Sequence, residues 1–151
     1  MITDADLFYM REALCEAEAA AADDEVPVGA IMVRDGEIIA RARNRREKDK
    51  NPLSHAEIKI INDTASKLGG WRLTRCTLYV TLEPCPMCAG AIVNSRIERV
   101  VFGAYDEKAG AFGTMLNLTD YPLFKPTVEG GVLKDECSSI LSDFFKKKRT
   151  K

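Results

Sequence analysis

Apolar residues between positions 4 and 22 recur at the spacing of one helix face: Leu7, Met10, Leu14, Ala17 and Ala21. Steps of three and four stack side chains on one side of a 3.6-residue turn, so an amphipathic helix is expected to open the fold. The pattern then changes. "VGAIMV" (28–33) is a continuous apolar run of strand length, and Asp35-Gly36 after it supplies the two-residue turn of a hairpin. "EIIARAR" (37–43) alternates Ala40 and Ala42 with Arg41 and Arg43, as an edge strand should. The polar "NRREKDKNPL" (44–53) reads as a loop. Helical spacing returns with Ile58, Ile61, Ala65 and Leu68, and stops at Gly69-Gly70.

"TLYVTL" (77–82), a helix entered at Pro86, and "RVVFGA" (99–104) make a strand–helix–strand unit, whose crossover places the two strands parallel. The Gly-containing "YDEKAGAFGTM" (105–115) reads as a loop, and "PTVEGGVL" (126–133) as a last short strand. A helix from about Asp135 to Lys147 closes the chain. With no repeat or linker in view, one domain over 1–151 is expected, with helices on both faces of a mixed sheet.

Composition narrows the class. The chain is 46% apolar and 30% charged, as ordinary globular proteins are. No apolar run approaches the ~20 residues of a membrane span. "MITDADLFYM" carries Asp4 and Asp6 where a targeting segment would be basic, so a cytoplasmic location is expected. Five cysteines, an odd number without an export signal, favour metal or thiol chemistry over a disulfide framework. A net charge of −1 gives no overall basic field, although "RARNRREKDK" and the terminal "FFKKKRTK" are locally basic. Such runs form phosphate-binding patches or serve as solvated faces near a helix C-terminus.

Chemistry concentrates in "PLSHAEIKII" and "TLEPCPMCAGA". Pro86 suits a first helical position, which would set Cys85 and Cys88 at a helix N-terminus, where the dipole favours thiolate. That serves redox or metal chemistry alike. His55, the one histidine, also stands at an expected helix start, and His55, Cys85 and Cys88 together suit zinc. Cys76 begins the strand that ends near Cys85, whereas Cys15 and Cys137 in the terminal helices stay open as a fourth ligand. The simplest count is three ligands and a vacant position, the pattern of catalytic zinc. Glu57 has two readings. Ser54-x-x-Glu57 is a capping box, which would spend the carboxylate on its own helix. Alternatively, Glu57 reaches back over the helix end and handles the proton of an activated water.

His55-x-Glu57 with Pro84-Cys85-x-x-Cys88 resembles the signature of the zinc-dependent nucleobase deaminases. Nearly the whole chain is similar to the bacterial tRNA-specific adenosine deaminases, through "EVPVGAI", "RARN", "SHAEI", "TLYVTLEPCPMCAGAIVNSRI", "RVVFGA", "DEKAGAFG", "LKDEC" and "LSDFFKKKR". The resemblance implies a three-layer α/β/α cytidine-deaminase-like fold with a mixed central sheet, a homodimer and one zinc ion per subunit. It implies conversion of adenosine to inosine at the wobble position of a tRNA anticodon stem-loop. His55, Cys85 and Cys88 would hold the zinc, with Glu57 as proton shuttle. Asn44 would contact substrate, Val28 and Leu82 would line the base pocket, and Asp106 would meet a neighbouring ribose. On the RNA reading, Lys146, Lys147 and Lys148 would meet phosphates. The chain departs from the family where an Asn-His-Arg segment follows the Gly-rich loop. Here that stretch reads "LFKPT", and Lys125 is the residue placed to substitute. Competing expectations are deamination of a free base or nucleoside, a zinc-stabilised interaction module without catalysis, and a thiol-redox pair.

Overall fold

The inner strands carry apolar residues at consecutive positions, so both faces of their sheet need cover. In the computed structural model, which describes residues 1–149, five strands form one sheet: β1 (Gly29–Arg34), β2 (Glu37–Arg43), β3 (Cys76–Leu82), β4 (Arg99–Ala104) and β5 (Thr127–Glu129). Their order is β2-β1-β3-β4-β5. β1 runs antiparallel to β2 and β3, whereas the β3–β4 and β4–β5 pairs are parallel. Period-two alternation then sorts the side chains. Ala30, Met32, Leu78, Val80, Val100 and Phe102 face one layer, which holds α3 (Ala56–Leu68) and α4 (Pro86–Asn94). Ile31, Val33, Tyr79 and Val101 face the other, which holds α1 (Asp4–Ala22) and α5 (Lys134–Arg149). The result is the expected α/β/α sandwich with a mixed sheet, and "EIIARAR" is indeed an edge strand.

Local chemistry explains the joints. Asp35 and Gly36 both adopt positive φ, 52° and 78°, as a turn matched to strand twist requires. At the other edge, β5 keeps only Thr127–Glu129 of the expected run. A short helix, α2 (Arg46–Asp49), interrupts the stretch expected to be a loop.

The buried stripe of α1 is displaced from the expected one. Met10, Ala13, Ala17 and Ala20 are fully buried, while Leu7 and Leu14 pack at the margin. The cause is Gly29. A Cβ there would stand 2.1 Å from the Ala13 carbonyl oxygen and 2.5 Å from the Ala17 nitrogen, so helix backbone rests directly on strand backbone. Only small residues fit that seam.

Asp6 fixes the start of the same helix. Its buried carboxylate accepts from both Arg99 guanidinium nitrogens at 2.8 and 2.9 Å and from the Tyr79 hydroxyl at 2.6 Å. It also completes a capping box with Thr3. Arg99 holds the Asp6 carboxyl well below the usual carboxylate range, against the opposing effect of burial. No helix is long and apolar enough to cross a membrane among the described residues.

Candidate active site

Both α3 and α4 begin at one end of the sheet, and their first residues converge there. His55 is the N-cap of α3 and Cys85 the N-cap of α4; both are extended, and neither side chain is spent on capping. Pro86 stands at the first helical position, as expected, and brings Cys88 round to the third. His55 Nδ1 lies 3.7 Å from Cys85 Sγ and 3.5 Å from Cys88 Sγ. These three side chains could hold a metal ion, and no other such group of His, Cys, Asp or Glu occurs among the described residues. Cys15, Cys76 and Cys137 stay outside it.

The electrostatics follow from the clustering. A hydrogen bond from the Cys88 thiol, followed by the His55 ring, holds the Cys85 thiol down to about 4. Cys88 moves the opposite way, because it shares that bond and is buried. The neighbouring Cys85 sulfur raises the His55 pKa. The clustering thus favours the thiolate form of Cys85 beside the imidazole.

Glu57 corrects the capping-box expectation. The helix starts at Ala56, and Ser54 belongs to the preceding loop, where its carbonyl accepts from the Arg45 N–H at 3.0 Å. With His55 rather than Ser54 at the cap, the Glu57 carboxyl is free to face the cysteines. It is 4% exposed, and burial pushes its pKa up to about 7.

A cavity of about 190 Å³ opens above this group, lined by His55, Glu57, Cys85, Asn44, Val28, Leu82 and Asp106 among others. Four residues expected at a substrate site are thus gathered there. Asn44 also makes the turn its residue type suggests: Oδ1 accepts from the Arg46 N–H at 3.1 Å, and Nδ2 donates to the Val26 carbonyl at 3.2 Å. Asp106 Oδ1 accepts from the N–H groups of Lys108 and Ala109 at 3.0 and 3.1 Å, closing a tight turn. Lys146, Lys147 and Lys148 are not in the cavity. They sit on the last turns of α5, where Lys148 pairs with Asp24 at 2.7 Å. A groove lined by Phe144, Phe145 and Lys148 meets the cavity at Val26 and Arg46, which line both.

Two buried carboxylates at this site were not singled out in the sequence. Glu25 accepts from the N–H groups of Glu47 and Lys48 at 3.0 and 2.8 Å, which seats α2 and places Arg46 at the cavity rim. Glu83 lines the cavity beside the Pro84-Cys85 turn. The available signal was an acidic residue inside otherwise apolar runs, "EVPVGA" and "TLEPC".

A family model described as MafB19-like deaminase matches residues 5–149. The chain belongs to the MafB19-like deaminase family. This deaminase is 52% identical over 148 residues to the tRNA-specific adenosine deaminase of Bacillus subtilis (strain 168), covering 97% of this chain and 92% of that protein. It is 42% identical over 144 residues to the tRNA-specific adenosine deaminase of Streptococcus pyogenes serotype M1, covering 94% and 84%. A solved structure from studies of A-to-I editing by tRNA:A34 deaminases superposes with a TM-score of 0.86 at 43% identity, covering 89% of this chain and 99% of that one. The guanine deaminase of Bacillus subtilis superposes with a TM-score of 0.65 at 35% identity, covering 71% and 69%. The α/β/α sandwich of this deaminase is therefore the cytidine-deaminase-like fold.

Proposed function

We propose that this deaminase converts adenosine to inosine, with water consumed and ammonia released, at the wobble position of a tRNA anticodon loop. The observation that carries the reaction is the buried Glu57 carboxyl beside a His-Cys-Cys group at the wall of a cavity. The substrate follows from the relatives, which are tRNA-specific over nearly this whole chain.

Zinc is the ion we assign to His55, Cys85 and Cys88. About 2.3 Å to sulfur and about 2.0 Å to nitrogen at a tetrahedral centre would set sulfur and nitrogen roughly 3.5 Å apart. The 3.7 and 3.5 Å separations fit that. When bound, zinc would supply Lewis-acid activation of water at neutral pH. Glu57 takes a proton from the attacking water and gives it to the purine ring nitrogen, then takes the remaining proton from the new C6 hydroxyl and gives it to the amine, which leaves as ammonia. Val28 and Leu82 sandwich the base in an apolar slot. Asn44 has one amide N–H and one lone pair left after its turn is made, enough to orient a purine edge. Asp106 keeps Oδ2 for a ribose hydroxyl, a contact that favours RNA over DNA. Lys146, Lys147 and Lys148 on the last turns of α5 hold phosphates, Lys148 from the groove that joins the cavity.

We assign a single catalytic unit per chain, working in the cytoplasm as a homodimer. Exposed Tyr121 and Leu123 flank Gly90 and Val93 of α4 and offer an apolar face for a second copy. Light scattering on the purified protein should give twice the chain mass.

The deciding experiment couples metal analysis with mass spectrometry of an anticodon stem-loop bearing A34. About one zinc per chain and inosine at that position are expected. A second reading, deamination of a free base, is favoured by the likeness to a guanine deaminase. Turnover of guanine or free adenosine comparable with that of the stem-loop would replace our reading with that one.

A further inference from the structure

Glu83 is a buried carboxylate that the proposed chemistry does not use. It is 1% exposed and stands between Leu82 of the cavity wall and the Pro84-Cys85 turn. No cation pairs with it among the described residues; four donors converge on it instead. Oε1 accepts from the Asp106 N–H at 3.1 Å and from the Thr114 hydroxyl. Oε2 accepts from the N–H groups of Phe112 and Thr114 at 3.1 and 3.2 Å. The chain from 106 to 114 thus wraps around one side chain. Gly110 makes the wrap possible, because a Cβ there would stand 2.3 Å from Glu83 Oε1. The next residue ties the loop to the neighbouring turn, since the Ala111 N–H donates to the Pro84 carbonyl at 2.9 Å. Asp106 and Ala109 of this loop line the cavity.

We propose that Glu83 is a positioning residue for the deamination, its carboxylate locking the 106–114 loop to the turn that carries Cys85. The wall that grips the substrate and the ligand that grips the metal are then one rigid piece. All four partners are donors, so the place demands an acceptor-only side chain. Glutamine would aim its own N–H at a loop N–H and so release part of the loop. The proposal rests on the deaminase reading for its kinetic consequence, though not for its structural one.

The test compares the zinc-loaded full chain with its Glu83→Gln and Gly110→Ala variants, the second crowding the same carboxylate from the loop side. In Glu83→Gln, the amides of Asp106, Phe112 and Thr114 should exchange hydrogen about tenfold faster or more, while those of α4 keep their protection. KM for the A34 stem-loop should rise about tenfold with kcat held within about threefold. Unchanged exchange at the three amides overturns the proposal. So does a fall in kcat at constant KM that tracks the fraction of folded protein, which is what a merely structural carboxylate would produce. If the wild-type protein makes no inosine, the deaminase reading fails on its own and the exchange measurement decides the role of Glu83. Should Glu83→Gln not fold, Thr114→Val removes one donor while sparing the carboxylate, and the same comparison applies with a smaller rise in KM.

Discussion

The proposed chemistry turns on the buried Glu57 carboxyl, which burial pushes up to about 7. Had Glu57 served as a cap, its loss would cost about 1 kcal/mol of stability and nothing else. Buried against the cysteines, it should behave differently. Glu57→Gln should keep zinc and RNA binding but lower inosine formation by about 10² to 10⁴ in single-turnover assays. Wild-type rates from that variant would remove Glu57 from the chemistry. The clustering of His55, Cys85 and Cys88 was legible from the sequence because they belong to short motifs whose spacing carries their meaning. Glu25 and Glu83 were not. Apart from the Thr114 hydroxyl, their partners are backbone N–H groups 22 to 31 residues away, and backbone donors leave no mark in a sequence.

At the scale of elements, periodicity located the strands and the longer helices that bear on the site, but it missed α2 and misplaced the face of α1. A hydrophobic pattern ranks residues by apolar size, whereas the α1–β1 seam selects for the absence of size. Gly29→Ala should therefore cost about 3 kcal/mol or more in urea unfolding, although alanine is ordinarily harmless in a strand. A small effect would mean that the seam gives way easily. The Asp6–Arg99 pair makes a pH prediction. The folded carboxyl lies below its unfolded value of about 4, so at low pH the unfolded chain binds the extra proton. Its stabilisation is complete above about pH 4 and is lost as pH falls further. Asp6→Asn should cost about 3 kcal/mol at neutral pH and flatten the acid limb of the stability curve. Thermal melts across pH 2–7 would show both, and an unaltered acid limb would place the sensitivity elsewhere.

Across the whole molecule, the basic terminal run is distant in sequence from His55, Cys85 and Cys88 but adjoins their cavity through the Phe144–Lys148 groove. Replacing Lys146, Lys147 and Lys148 with alanine should weaken stem-loop binding and shallow its dependence on salt, leaving zinc content unchanged. An unaltered salt slope would return these lysines to a helix-end role. The neighbourhood of terminus and cavity was not readable from charge alone, because it depends on α1 and α5 sharing one layer of the sandwich. The convergence of two helix starts has a consequence for endurance as well as reactivity. Zinc held as proposed by residues from separate crossovers would be a rivet between them, so prolonged chelation should loosen that end of the sandwich first. Cells short of the metal would then lose the protein to proteolysis as well as its product.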